Sequence, residues 1–290
     1  MSKIQDALTK IQSDLVRGDE TASPVAASIP NQRRANDIGR LEAPHPTKEV
    51  LVVDMDRLMQ AGILPHPDCE HLINRQFRDI KRPLIAHAFG KRATKVIDGP
   101  LIMITSALSG EGKSFTSINL ALSMAQEKDH TVLLIDADVA NPQISRIFGV
   151  ADRSGLLDVL ERQDMSLDAA IIPTSIDGLS VMPAGTPRAH ATELLASGRM
   201  EQVAANLGTI RRNQIIIMDS PPLLQTSESK VLASFVGQIV MIVCADRTPQ
   251  DAVLAAVALV DEGKPLNLVL NRASGNEMKV RYGYDERQEY

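Results

Sequence analysis

Residues 101–116 read Leu-Ile-Met-Ile-Thr-Ser-Ala-Leu-Ser-Gly-Glu-Gly-Lys-Ser-Phe-Thr, an apolar run followed by a glycine-rich turn that ends in Gly112-Lys113-Ser114. A run with helical spacing of apolar residues continues from Phe115 to Gln126. A strand, a glycine-rich turn, Gly-Lys-Ser and a helix form the arrangement of a loop that binds nucleotide phosphates. Glycines allow several backbone N–H groups to point at the phosphates, and the helix N-terminus adds partial positive charge. The stretch therefore predicts a nucleotide-binding protein.

The side chains of this loop have separate expected roles. Lys113 would reach the β- and γ-phosphates, and the hydroxyl of Ser114 would hold Mg²⁺. One departure from the usual pattern is visible, because Ala107 stands where the first glycine is expected. The residues expected to contact the nucleotide are Ser109, Gly110, Glu111, Gly112, Lys113, Ser114 and Phe115.

Composition narrows the class of protein and its compartment. The chain has 290 residues and a formal net charge of -5, which argues against a dedicated nucleic-acid binder. Its two cysteines, Cys69 and Cys244, fit no metal or redox spacing, so a reducing cytosol is the simplest compartment. No apolar stretch approaches the roughly 20 residues that cross a bilayer. We expect a cytoplasmic protein that meets a membrane only through a protein partner.

Beyond residue 100, continuous apolar runs alternate with helical patterns. Continuous Ile, Val, Leu and Met residues are typical of strands buried on both faces. The alternation predicts an α/β fold of the P-loop NTPase type, a mostly parallel sheet with helices on both faces. The predicted strands are 101–105, 131–135, 179–182, 214–218, 238–244 and 266–270. A helix is predicted over 248–261, with Thr248 as its cap and Pro249 at its first position.

The chain divides into four predicted segments. Residues 1–48 combine a short amphipathic helix and a linker; the helix either packs on its own domain or docks elsewhere. Residues 49–92 form a small element with a strand at 50–53 and a short helix, followed by a longer helix from about 68 to 92 with a basic side, which is either a solvated face or an interface. Pro83 is expected to kink or interrupt this longer helix. Residues 93–272 form the nucleotide-binding domain, and residues 273–290 form a polar tail that we expect to be disordered.

Acidic residues follow two of the predicted strands. The run 132–135 ends in Asp136-Ala137-Asp138, and the run 215–218 ends in Asp219. Because the carboxyl ends of neighbouring parallel strands meet at one crevice, these aspartates should face the phosphates. A single such aspartate is also explained as a helix cap or turn former. Two acidic strand ends beside one phosphate loop favour a common site.

The phosphate loop, the Asp-x-Asp strand end and the second acidic strand end at Asp219 stand in an order that resembles the bacterial tyrosine kinases of polysaccharide export. The resemblance runs from about residue 50 to the C-terminus, and residues 77–84 (Phe-Arg-Asp-Ile-Lys-Arg-Pro-Leu) resemble the soluble branch of exosortase-type export loci. It includes Gly-Leu-Leu-Asp-Val-Leu at 155–160, Met-Pro-Ala-Gly at 182–185, Glu-Leu-Leu-Ala-Ser at 193–197 and Met-Asp-Ser-Pro-Pro at 218–222.

This resemblance implies ATP and Mg²⁺ as cofactors and a protein-tyrosine autokinase activity. It places Ser114, Asp138 and Asp219 on the metal, and it makes Asp136 the group that orients or deprotonates the tyrosine hydroxyl. The roles of Asp136 and Asp138 are open to exchange. Asn271 resembles the asparagine that contacts adenine, with a turn-forming role as the alternative.

The tyrosines lie together at the end of the chain. There are only three, Tyr282, Tyr284 and Tyr290, and all fall within the last nine residues. Their neighbours are charged or glycine, so the segment cannot bury a ring in a core of its own. The alternative is that one or two rings dock on a surface. The resemblance implies that these tyrosines are phosphate acceptors, modified in a neighbouring subunit.

The resemblance also implies partners. The family associates through a helix with a Glu-x-x-Arg-x-x-Arg/Lys pattern, which Arg78 and Lys81 match here, while Arg75 takes the glutamate position. We expect a homo-oligomer such as a ring, and a membrane polysaccharide co-polymerase that supplies an activating cytoplasmic segment at the inner membrane. No nucleic-acid partner is expected. A second departure is Ala140, where the family commonly has arginine.

The main alternative is a ParA/MinD-like ATPase switch whose tail is only a binding peptide. Partition and division-site ATPases share the phosphate loop, but they carry a second lysine five positions before the first. Leu108 stands at that position, and an apolar side chain cannot neutralise phosphate charge. The sequence therefore favours the kinase.

Overall fold

The computed structural model describes residues 49–90, 96, 98–209 and 213–273. The described residues all belong to one compact unit, which lies within Thr47–Tyr290. The predicted N-terminal helix, the linker up to residue 48 and the tail tyrosines lie outside the described residues. Within the described ranges, no helix combines the length and apolar character that crossing a bilayer requires.

Seven strands in the described residues form a single sheet. Its order is β3-β4-β2-β5-β1-β6-β7, and all neighbours pair in parallel except β3 and β4, which are antiparallel. The predicted mostly parallel sheet is confirmed, whereas β3 was not predicted because two residues carry no periodicity. The strands are Leu101–Ser106 (β1), Thr131–Asp136 (β2), Ile172–Pro173 (β3), Leu179–Met182 (β4), Gln214–Asp219 (β5), Gln238–Cys244 (β6) and Leu266–Asn271 (β7).

Helices cover both faces of this sheet, as the alternating pattern predicted. Side chains of one strand point to opposite faces, so Leu101 and Met103 enter one core while Ile102 and Ile104 enter the other. The helices are Met55–Gln60 (α1), Glu70–Phe89 (α2), Lys113–Ala125 (α3), Gln143–Ile147 (α4), Leu156–Glu161 (α5), Ala191–Leu195 (α6), Gly198–Thr209 (α7), Glu228–Phe235 (α8) and Gln250–Val257 (α9); Pro67–Cys69 and Leu167–Ala170 are 3₁₀ helices.

The two cores differ in which helices they contain. On one face, α5, α6, α7, α8 and α9 pack against the sheet. On the other face, α2 and α3 pack through Phe77, Leu84, Ile118 and Met124, with Ile144 of α4 beside them. The phosphate-loop helix α3 is therefore held between the sheet and α2.

Three local predictions differ from the structure. Among the described residues, the segment 50–53, predicted as a strand, makes only an isolated parallel bridge between Leu51 and Thr174, the residue that follows the two-residue strand β3. Helix α2 continues through Pro83, which lies on its exposed side, so this proline does not interrupt it. Helix α9 starts later than predicted, with Pro249 as the N-cap residue rather than Thr248.

Candidate nucleotide and phosphoryl-transfer site

The phosphate loop lies between the end of β1 and the start of α3. Gly110 has φ +78° and Gly112 has φ +102°, and Gly112 is the residue before the first turn of the helix. Such φ values are strained for any residue with a Cβ. A Cβ at residue 112 would also collide with the side-chain amide of Asn271. The loop therefore needs glycine at 112 for both its conformation and its space.

Hydrogen bonds to Glu111 stabilise the conformation of this loop. Its carboxylate accepts a hydrogen bond from the backbone N–H of Leu108 at 2.9 Å, and another from the hydroxyl of Thr248. The side-chain amide of Asn271 donates to the carbonyl of Glu111 at 2.8 Å. The structure thus places Asn271 against the loop itself, and a contact with adenine stays a prediction. Thr248 was not predicted as part of this site, because it lies 137 residues from Glu111 and local sequence patterns do not indicate such distant contacts.

Asp219, at the end of β5, is buried beside the first turns of α3. The hydroxyl of Ser114 donates to one carboxylate oxygen at 2.7 Å, and the hydroxyl of Ser117 donates to the other at 2.9 Å. Burial raises the pKa of Asp219 to about 6, while the two hydroxyls and the charge of Lys113 oppose that rise. The structure brings together Ser114 and Asp219 as predicted for one site. Ser117 was missed, although it lies one helical turn after Ser114.

Asp136, at the end of β2, is fully buried and pairs in register with Asp219 on the neighbouring strand. Its Oδ2 accepts hydrogen bonds from the backbone N–H and the hydroxyl of Ser145, both at 2.7 Å. Among the residues that the structure describes, none forms a hydrogen bond with its Oδ1. Burial raises the pKa of Asp136 to about 7, against the two hydrogen bonds from Ser145. Asp136 therefore has one carboxylate oxygen that another group can still contact.

Asp138 lies two residues further and is 8% exposed, so it is more accessible than Asp136 or Asp219. One of its oxygens accepts the backbone N–H of Asn141 at 3.2 Å. Burial raises the pKa of Asp138, and the positive charges of Lys113 and Arg146 act in the opposite direction. Lys113 itself is 9% exposed, and its charge acts on both Asp138 and Asp219.

This set of residues fits a nucleotide with a divalent cation. The loop turns through Gly110 and Gly112 at positive φ directly before the first turn of α3, and within the described residues the Oδ1 of Asp136 is a buried carboxylate oxygen without a hydrogen-bond partner. The hydroxyl of Ser114 and the carboxylates at the strand ends are oxygen ligands of the kind that Mg²⁺ prefers. Chemically, the site can hold phosphates, neutralise their charge with Lys113 and accept a proton on a carboxylate.

The two predicted interface residues of α2 occupy different environments. Arg78 is exposed. Lys81 is 5% exposed, and its ammonium group donates to the carbonyl of Ser123 at 2.6 Å and pairs with Glu127 at 2.6 Å. Lys81 is therefore engaged within its own chain at the end of α3. A contact of Lys81 with a neighbouring subunit stays a prediction, as do the roles of the tail tyrosines, which lie outside the described residues.

Comparison with known proteins agrees with this geometry. A family model described as ParA, an iron-transfer P-loop NTPase of the NUBPL type, matches residues 99–261. The tyrosine-protein kinase YwqD of Bacillus subtilis is 30% identical over 230 residues, which cover 78% of this chain and 92% of that protein. The succinoglycan biosynthesis transport protein ExoP of Rhizobium meliloti is 32% identical over 198 residues, covering 66% of this chain and 24% of ExoP. The crystal structure of the VpsO kinase domain is 29% identical, has a TM-score of 0.56, and is matched over 99% of its length and 70% of this chain.

Proposed function

Because this chain belongs to the bacterial tyrosine-protein kinases, within the ParA-like P-loop NTPases, we propose that it is an autokinase that transfers the γ-phosphoryl group of ATP to tyrosines of its own C-terminal tail. The observation that carries the proposal is the convergence of Lys113, Asp136, Asp138 and Asp219 beside the phosphate loop. The proposed acceptors are Tyr282, Tyr284 and Tyr290, the only tyrosines of the chain.

The residues of the loop would hold the nucleotide. Backbone N–H groups of residues 109–115 would surround the phosphates, with Lys113 on the β- and γ-phosphates. Ser114, Asp138 and Asp219 would hold Mg²⁺, which when bound neutralises charge on the phosphates. Asn271 would contact the adenine while its amide stays on the carbonyl of Glu111.

Asp136 is the proposed proton acceptor for the tyrosine hydroxyl. A general base works best when its pKa lies near the working pH, and burial raises the pKa of Asp136 to about 7. Ser145 holds one carboxylate oxygen, which leaves Oδ1 for the incoming hydroxyl. Asp138, which is the more accessible carboxylate, is the alternative base if the two exchange roles.

We further propose that the reaction takes place between subunits of a homo-oligomer, with the exposed Arg78 of α2 facing a neighbouring copy. Each phosphate adds about -1.5 to -2 charges at pH 7 to a tail that already holds Asp285, Glu286 and Glu289. That charge would release the tail and loosen the assembly. Similarity to a succinoglycan biosynthesis transport protein supports a cytoplasmic role in polysaccharide export, at the inner membrane beside a co-polymerase partner.

Mass spectrometry of the C-terminal peptide tests the activity. Wild-type protein expressed in bacteria should carry phosphate on at least one tail tyrosine, and Lys113→Met should carry none. Lys230→Met, which changes an exposed lysine of α8, is the matched control and should keep the phosphate. An unmodified wild-type tail after incubation with ATP and Mg²⁺ and the membrane partner's cytoplasmic segment would contradict the proposal.

A mixing experiment separates transfer between subunits from transfer within one. Lys113→Met supplies an intact tail without activity, and a chain with all three tail tyrosines changed to Phe supplies activity without acceptors. Phosphate on the Lys113→Met tail in the mixture indicates transfer between copies.

The second candidate is a nucleotide-dependent switch, favoured by the match to the ParA family model. It predicts assembly that depends on ATP with no phosphate on the tail. Leu108 disfavours it, because its backbone N–H is held by Glu111 and its side chain brings no charge to the phosphates.

A further inference from the structure

A second positive charge lies at the edge of the acidic site. Arg146, on α4, donates from Nη1 to the side-chain oxygen of Asn141 at 3.0 Å. The backbone N–H of Asn141 in turn donates to a carboxylate oxygen of Asp138 at 3.2 Å. The guanidinium is thus connected to Asp138 through one intervening residue. Gln143 donates to the same oxygen of Asn141 at 3.1 Å and helps to hold it.

Arg146 is exposed and has charge available for an anion. Among the described residues, no carboxylate pairs with it as a salt bridge, and its hydrogen bond goes to a neutral amide. A guanidinium has five N–H donors in a planar fork that matches phosphate oxygens.

The site needs such a charge when the phosphoryl group moves. Three carboxylates, Asp136, Asp138 and Asp219, lie at the strand ends beside the phosphate loop, and the loop itself brings one cationic side chain, Lys113. During transfer the phosphoryl group carries negative charge on its oxygens as it leaves ADP and bonds to the tyrosine, and a cationic group that contacts those oxygens stabilises the transition state. Ala140, two residues after Asp138, offers no charge there.

We propose that Arg146 is a further catalytic residue, which contacts the phosphoryl group in transit and then the phosphotyrosine. This inference rests on the proposed function. In the step, the tyrosine oxygen bonds to the γ-phosphorus as the bond from that phosphorus to the β–γ bridging oxygen breaks. ADP leaves with that electron pair, the tyrosine proton moves to the carboxylate base, and Arg146 stays charged throughout. Asn141 is a positioning residue that aims the guanidinium.

The test compares Arg146→Ala and Arg146→Lys in the full chain with Arg153→Ala. Arg153 is an exposed arginine seven positions along, paired with Glu49 at 2.8 Å, and such surface pairs contribute little to stability. The readouts are the rate of tail phosphorylation at saturating ATP, the Kd for ATP and the melting temperature. All variants should keep the wild-type melting temperature, since the changed side chains are exposed.

We expect Arg146→Ala to lower the rate at least about tenfold with Kd for ATP changed less than about twofold, as for a group that acts on transition-state charge. Arg146→Lys should recover part of the rate, and Arg153→Ala should match the wild type. A rate for Arg146→Ala equal to that of Arg153→Ala would overturn the inference. A wild-type chain that binds ATP but never phosphorylates its tail would instead overturn the proposed function.

Discussion

The ammonium group of Lys81 lies 2.6 Å from the carboxylate of Glu127 and 2.6 Å from the carbonyl oxygen of Ser123. Ser123 belongs to the last turn of α3, and Glu127 follows that helix. A helix C-terminus carries partial negative charge and unpaired carbonyls, so a buried cation stabilises it. The phosphate-loop helix is therefore secured by α2 at the end opposite to the phosphates.

Lys81→Met should lower the free energy of unfolding by about 1–3 kcal/mol, because it removes a buried charge-assisted hydrogen bond. Lys230→Met, at an exposed lysine of α8, is the matched control and should change stability by less than about 0.5 kcal/mol. Urea denaturation measures both. Equal stabilities of the two variants would show that the contact with Ser123 contributes nothing.

The same pair predicts a pH dependence. The hydrogen bond from Lys81 holds the pKa of Glu127 below its ordinary value of 4.5. A carboxyl with a lowered folded-state pKa stabilises the protein above its unfolded pKa, and this stability is lost as pH falls through the folded value. Glu127→Gln should therefore be less stable than wild type at pH 7, with a difference that shrinks below about pH 4.5. A difference that does not change between pH 7 and pH 3 would contradict this account.

Gly112→Ala should raise the Kd for ATP at least about tenfold, since a Cβ there is strained at positive φ and collides with Asn271. Gly198→Ala is the control, because nothing lies near the position of its Cβ. Equilibrium binding of a fluorescent ATP analogue reports both values. Unchanged binding by Gly112→Ala would mean that the loop tolerates a displaced Asn271.

Asp136→Asn should abolish tail phosphorylation while making the nucleotide-free protein more stable at pH 8. Burial raises the pKa of Asp136 to about 7, so the stability of its neutral form is lost as pH rises through that value. Asparagine keeps an acceptor for Ser145 and stays neutral, so we expect a gain of about 1 kcal/mol or more. Thermal denaturation at pH 5 and pH 8 measures it. A variant that keeps full activity would assign the base to Asp138.

Changing the three tail tyrosines to Glu should shift the protein to a smaller assembly than changing them to Phe, because the added charges mimic phosphate in sign. Sedimentation velocity at equal concentration compares the two. Equal sedimentation of the two variants would contradict the proposal that phosphorylation releases subunits.

Much of the fold followed from local pattern. Six of the seven strands in the described residues, together with the phosphate loop and α3, were predicted because continuous apolar runs and glycine turns act over a few neighbouring residues. Strand β3 was not predicted, because a strand of two residues shows no periodicity. The start of α9 was predicted at the wrong residue, because the hydroxyl of Thr248 forms hydrogen bonds with Cys244 and Glu111 that no local pattern indicates.

The sequence by itself determined that β1 ends in a phosphate-binding loop and that Asp136, Asp138 and Asp219 follow two apolar strands, since these are matters of order along the chain, whereas the pairing of those two strands, β2 and β5, came from the fold. Only the tertiary structure decided that Ser145 holds Asp136, that Lys81 turns inward to α3, and that Arg146 reaches toward Asp138. The physical reason is that burial and hydrogen bonding are properties of the packed surroundings. These side chains gain their burial and their hydrogen-bond partners only when the helices pack on the sheet.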